Sequence, residues 1–266
     1  MDPLGDGDGR DRGPRMNLFA EGIAWLLDPV NWEGSGSIPQ RLGEHLRYTA
    51  IAVLIASFIA VPLGWWIGHT GRGRELVVGL TGAARALPSF GLLFLFVMVA
   101  GVLQREPASV VVLMLLAVPP ILAGAYAGFE VIDRRVIDAA RAVGMTEWQI
   151  LWKVEVPLGL PLLFGGLRSG VLQVVATAVL ISYIGLGGLG YDIIQGIELR
   201  RFDQILGSAI LIILLALVLD ALFALLERSA VPRGVRAGRL PEPRTAPTGR
   251  RAAAELPATT GREEKN

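Results

Sequence analysis

The sequence predicts an all-α polytopic membrane protein with five transmembrane helices, an N-terminal interfacial helix and a two-helix loop on the cytoplasmic side. Three observations predict it. The 266 residues are 52% hydrophobic and only 18% charged, with mean hydropathy +0.51, whereas a soluble domain carries about 25% charged residues. The apolar residues gather in five long runs almost free of charge. The connection after the third run is far longer than chain reversal requires. Composition also excludes whole classes. A net charge of +1 argues against a nucleic-acid partner, zero cysteines exclude disulfide, thiolate-metal and cysteine-nucleophile chemistry, and two histidines make a His-rich metal centre untenable.

The runs fix the spans, because a hydrocarbon core of about 30 Å takes about 20 helical residues. Thr49–Gly68 holds 20 uncharged residues, giving a first span over 49–68. Leu76–Gln104 is broken only by Arg85 and contains Pro88, so one tilted or broken helix is expected over 76–101. The third span is expected over 108–128. Pro157 and Pro161 push the start of the fourth to 162, and the glycines at 185–190 end it at 184. The fifth covers 204–226, interrupted only by Asp220. Residues 1–16 carry seven charges with no apolar periodicity, so neither order nor a cleaved leader is expected there. Residues 229–266, rich in Arg, Pro, Ala and Thr, read as a disordered basic tail. Between 17 and 44, the stretch Met16–Trp32 is too short and too acidic (Glu21, Asp28) to cross. It is expected in the outer interface with Trp25 and Trp32 at headgroup level.

Positive charge orients the chain. Arg72, Arg74, Arg134, Arg135, Arg141 and Lys153 stand on one side of the spans against Arg105, Arg200 and Arg201 on the other. Arg41 and Arg47 oppose that assignment, but the basic tail with Arg228, Arg233, Arg236 and Arg239 outweighs them. The N-terminus is therefore expected outside and the C-terminus in the cytoplasm.

The long connection, 130–160, is the informative segment. Val131, Ile132, Val136, Ile137, Ala140 and Val143 recur at helical spacing, Gly144 breaks that helix, and Thr146 can cap a second. In the second, Trp148 and Trp152 share a face, and Pro157 ends it. Two readings stay open on the residues alone: an amphipathic hairpin on the inner headgroups, or a docking element for a cytoplasmic partner.

Asp138-Ala139-Ala140, three residues, Gly144, nine residues and Val154-Glu155-Val156-Pro157 resemble the EAA loop of bacterial ABC importer permeases. Asp138 stands for the usual Glu, Val154 for Ile and Val156 for Leu. The resemblance extends over roughly 45–226 and implies a type I importer permease domain over 45–228. It implies ATP-binding ABC subunits docked on the loop through Asp138, Ala139, Ala140, Gly144, Trp148, Ile150 and Pro157. It also implies an external substrate-binding protein, a second permease copy or a sister permease, and surrounding membrane lipid. No cofactor is expected in this chain, and ATP hydrolysis is expected in the separate subunit. Gly43-Glu44-His45-Leu46, Arg85-Ala86-Leu87-Pro88-Ser89-Phe90, Pro119-Pro120-Ile121-Leu122 and Ile184-Gly185-Leu186-Gly187-Gly188-Leu189-Gly190 resemble the osmoprotectant branch, importers of glycine betaine, choline and carnitine. Methionine-type permeases share several of these motifs. One departure is Ala123-Gly124-Ala125-Tyr126, where many osmoprotectant permeases carry Thr-Asn before the Tyr.

Within the spans, Ser169, Gln173 and Thr177 share one helical face and, with Ser182 and Tyr183, are candidates for the translocation path; helix–helix hydrogen bonding is the competing role. Pro88, Pro119, Pro120, Gly187 and Gly188 are candidate hinges or gates, with static kinks as the alternative for the prolines. Arg85 and Arg168 are expected to snorkel to the cytoplasmic face, and Asp220 to form a structural ion pair, with Arg85 as one partner. Aromatic residues make up 7% of the chain. Few lie mid-span, so no strong cation–π site for a quaternary ammonium is expected there. A secondary transporter would call for inverted repeats and mid-span acids, and only Asp220 is such an acid. An intramembrane enzyme finds no Gly-x-Ser-x-Gly elbow or metal motif.

Overall fold

The computed structural model describes residues 17–230 apart from 76, 78, 80, 81 and 83–87. The expectations for residues 1–16, for the tail beyond 230 and for Arg85 lie outside the described residues. Every regular element described is helical: α1 (Asn17–Leu27), α2 (Ile38–Thr70), α3 (Ser89–Ala100), α4 (Arg105–Glu130), α5 (Arg134–Ala142), α6 (Glu147–Ile150), α7 (Val156–Ala178), α8 (Gly190–Leu199) and α9 (Phe202–Ala230). Among the described residues, four helical stretches are long and apolar enough to cross a membrane: Ile38–Thr70, Val102–Glu130, Glu147–Ile184 and Phe202–Ala230.

Helix ends differ from the sequence expectation where no breaker stops the helix. The helix bearing the first span begins at Ile38, eleven residues before 49, because Ser37 and Pro39 start it and nothing interrupts it before the bilayer. At 33 residues it is about 50 Å long, longer than the roughly 30 Å of hydrocarbon an upright helix crosses. The second apolar run breaks at Pro88, whose extended backbone (ψ 101°) caps α3. Twelve residues give α3 only about 18 Å.

The fourth span corrects two expectations. Pro157 does not end the preceding helix, nor do Pro157 and Pro161 delay the span to 162. Helix continues from Glu147 through a π-helical segment, Leu151–Glu155, into α7. In that segment the Val156 N–H reaches back to the Leu151 carbonyl, one residue further than in an α-helix. This wider register relieves the place where a proline would otherwise crowd the preceding turn. The far end matches: a 3-10 turn, Val179–Ile184, closes on Gly185 in the left-handed region.

Packing is dominated by small residues. On α2, Ala52, Ala56 and Ala60 are wholly buried at four-residue spacing, continued by Gly64 against Ala125 and Gly68 against Phe129. On α4, Gly124 and Gly128 face Gly166 and Gly159 of α7. A Cβ at Gly124 would lie 2.6 Å from the Gly166 Cα, and one at Gly128 would lie 2.7 Å from the Gly159 carbonyl oxygen. Lipid tails are as apolar as Leu, so spans associate through such close contact rather than through hydrophobic exclusion. The Ala123-Gly124-Ala125-Tyr126 departure therefore falls on the crossing that joins α2, α4 and α7. Pro119 and Pro120 lie inside α4 and deprive the Leu115 and Leu116 carbonyls of their helical donors.

α1, at 11 residues, is about 16 Å long, too short to cross. It packs on the start of α9, with Trp25 over Gly207 and Gly22 against Leu206. Trp32 Nε1 donates to the Leu26 carbonyl (2.6 Å) and Asn31 Nδ2 to the Trp25 carbonyl (2.7 Å), which fasten the following turn.

Candidate functional site

The 130–160 connection folds into a compact knob. Asp133 caps α5 by accepting from the Arg135 N–H (2.9 Å). Gly144, at φ 86°, makes the reversal that a β-carbon would strain. Thr146 and Gln149 form a reciprocal capping box at α6. Ile137, Ala140 and Ile150 are the knob's buried core, with Ile132, Met145 and Val154 against it. Arg141 bridges the two helices through both Glu147 oxygens (2.8 and 3.1 Å).

This divides the expected docking residues. Asp138, Ala139 and Trp148 are exposed, as is Val143. Ile150 and Ala140 are buried, so Ile150 holds the knob together rather than projecting from it; a four-residue helix needs one inward anchor, and its other apolar residue, Trp148, faces out. Pro157 sits in the first turn of α7. The knob is bound to the end of α2, where His69 Nδ1 donates to Glu155 Oε2 (2.5 Å) and Trp65 meets Trp152 edge-on at 5.7 Å.

The candidate path residues also divide. Ser169 and Gln173 are exposed on α7, while Thr177 is buried and donates to the Gln173 carbonyl (2.8 Å). Ser182 is buried and donates to the Gly187 carbonyl (3.3 Å); Tyr183 is exposed, its ring edge-on to Phe90 at 5.4 Å. Arg168 and Asp220 form a bidentate pair (2.6 and 2.7 Å) joining α7 to α9. Asp220 thus forms the expected ion pair, but with Arg168, which was expected to snorkel; Arg85, the partner expected for it, lies outside the described residues.

At the opposite end from the knob, polar contacts gather that the sequence marked only through Glu44-His45. Glu44 accepts the Gly188 N–H (2.9 Å) and occupies the space a Gly187 side chain would need. Gly188 itself has φ 97°. His45, fully buried, donates from Nε2 to the Val175 carbonyl (3.1 Å), tying α2 to α7. Arg41 donates from Nε to the Gly36 carbonyl, lies 3.1 Å from Asp192 and stacks over the Tyr191 ring. Gln204 donates to Asp192 and Gln195. Burial pushes the Asp192 carboxyl above its ordinary value, against the pull of Arg41 and Gln204. The gate candidates Gly187 and Gly188 are therefore pinned to α2 through Glu44.

Residues 60–233 match the family described as binding-protein-dependent transport system inner membrane component. The OpuCB permease protein of the glycine betaine/carnitine/choline transport system of Bacillus subtilis is 33% identical over 201 residues, covering 76% of this chain and 92% of that protein. The osmoprotectant import permease protein OsmW of Salmonella typhimurium is 34% identical over 219 residues, covering 79% of this chain and all of that protein. Among solved structures, an inward-facing form of the MetNI methionine ABC transporter superposes with a TM-score of 0.65 at 22% identity, over 73% of this chain and 96% of that one. That likeness shows the fold.

Proposed function

The chain belongs to the family of inner-membrane components of binding-protein-dependent transport systems, and from that premise we propose that it imports quaternary-ammonium osmoprotectants such as glycine betaine, choline or carnitine. It is the permease subunit of an ABC importer and a multi-pass protein of the bacterial inner membrane. The substrate class rests on the two relatives whose names carry it. The observation that carries the mechanism is the knob: a rigid helix pair around Gly144, bonded to α2 and continuous with α7. ATP-binding subunits dock on its exposed Asp138, Ala139 and Trp148, and their motion is passed to the spans as rigid-body movement. An external binding protein delivers the solute, and a second copy or a sister permease completes the pore.

In this reading the segment 76–101 makes the fifth crossing, and the N-terminus lies outside with the C-terminus in the cytoplasm. α1 then rests in the outer interface. Ser169, Gln173 and Tyr183 line the path, with Thr177 and Ser182 behind them holding backbone geometry. Pro88, Pro119 and Pro120 flex, and Gly187 with Gly188 forms the outer gate held by Glu44.

Replacing Gly144 with Leu in the assembled transporter tests this. The permease should insert and bind its ATPase, while solute import falls at least about ten-fold per ATP hydrolysed, because a side chain at φ 86° reshapes the knob. Unchanged coupling in reconstituted vesicles would refute the docking role. Failure of wild-type vesicles to take up any quaternary ammonium solute would refute the substrate class.

A further inference from the structure

Of the six tryptophans in the chain, four line one cavity. It lies between the end of α2 and the knob and holds about 350 Å³. Its walls are Trp65 and Trp66 of α2 and Trp148 and Trp152 of the knob, with Pro62 below and His69 and Glu147 at the rim. An aromatic belt at the headgroups would set rings singly around the bundle. Three of them meet edge to face, Trp65 with Trp152 at 85° and Trp148 with Trp152 at 71°, each pair 5.7 Å between centroids, while Trp65 also stacks on Phe129. Indole rings beside an apolar cavity attract a compact cation with no hydrogen-bond donors.

The charge cluster that includes the rim residues His69 and Glu147 fits the same occupant. Asp138, Glu147 and Glu155 form one cluster with Arg141 and His69. Three carboxylates against these two groups leave the cluster negative whether His69 is protonated or neutral. Trp66 and Trp148 keep 56% and 69% of their surface exposed in this chain, Trp148 being also the contact proposed for the ATPase.

We propose that the four-tryptophan cavity between α2 and the coupling knob is a binding site for a quaternary ammonium group. A cation held there bridges α2 to the knob and stiffens the joint through which the ATPase acts. The role as a brake by accumulated solute rests on the substrate class proposed above; the binding itself rests on the cavity alone.

The test uses the assembled transporter in discs of phosphatidylethanolamine and phosphatidylglycerol, titrated with tetramethylammonium while tryptophan emission is followed. A saturable change is expected, and likewise with choline, but absent with choline's uncharged isostere 3,3-dimethylbutan-1-ol. Trp66→Leu should weaken it about ten-fold and Trp66→Phe far less, since Phe keeps a π face. In discs of phosphatidylcholine, a lost response identifies the lipid headgroup as an occupant of the same chemistry, and a retained one favours the free solute; both support the site. An equal response to the neutral alcohol, or one untouched by Trp66→Leu, overturns it. Uptake by the same preparations separates the two readings. Binding without uptake of quaternary ammonium solutes removes only the substrate class, and uptake without binding removes only the cavity site.

Discussion

α4 and α9 are both long apolar helices, yet they are held in opposite ways. In the most apolar stretch of α4, 56% of residues are buried within the chain; in that of α9, none are. α4 meets α2 and α7 through Ala and Gly, backbone against backbone. α9 is tied at its N-terminal end by Trp25, Gln204 and Ser208, and further along by the Arg168–Asp220 pair. It leaves Ile213, Leu214, Leu217, Val218, Leu222 and Leu225 bare. The difference shows that affinity between apolar helices comes from shape, since Leu-rich surface gains nothing over lipid. α2, α4 and α7 form the fixed frame, and α9 is pegged to it by polar contacts.

The largest effect should follow from breaking the frame. Gly166→Leu would thrust a side chain into the Gly124 Cα and the Pro120 carbonyl, each 2.8 Å from its first carbon. A loss of about 3 kcal/mol or more is expected, read as absence of monodisperse protein after extraction. Leu217→Ala on the bare face of α9 should leave that readout unchanged, and equal damage at both sites would erase the contrast. Next, Trp25→Ala removes the clamp on the start of α9, at a cost of about 2 kcal/mol since the site borders the surface. Early proteolysis of α1 would report it. Asp220→Ala should cost about 1 kcal/mol, with an Arg168→Asp/Asp220→Arg exchange restoring much of it; thermal unfolding in detergent measures both. The smallest effect concerns pH. The folded Asp192 carboxyl titrates above its unfolded value, so its stabilising contribution is complete below about pH 3.9 and is lost as pH rises through the folded value. Comparing the pH dependence of unfolding with that of Asp192→Asn should show wild type gaining on acidification.

Charge-free length is enough to mark helices that must hide their backbone from lipid, so composition and runs determined an all-helical membrane protein on their own. The spacing from Asp138 through Gly144 to Pro157 likewise marked the knob and its turn, because a left-handed residue and a capping Thr are local requirements. What depends on distant partners was decided only by the tertiary structure. Pro157 and Pro161 read as breakers, yet a π-helical turn leads into Pro157 and the helix runs on through Pro161; Ile150 read as a docking residue, yet it fills the knob's core. Asp220 showed a need for a cation but not which one, and its partner lies 52 residues away on α7. Trp65 and Trp66 carried no signal at all until the fold set them against Trp148 and Trp152. Local rules act within a turn or two of helix, whereas pairing across helices depends on which small residues let two backbones meet.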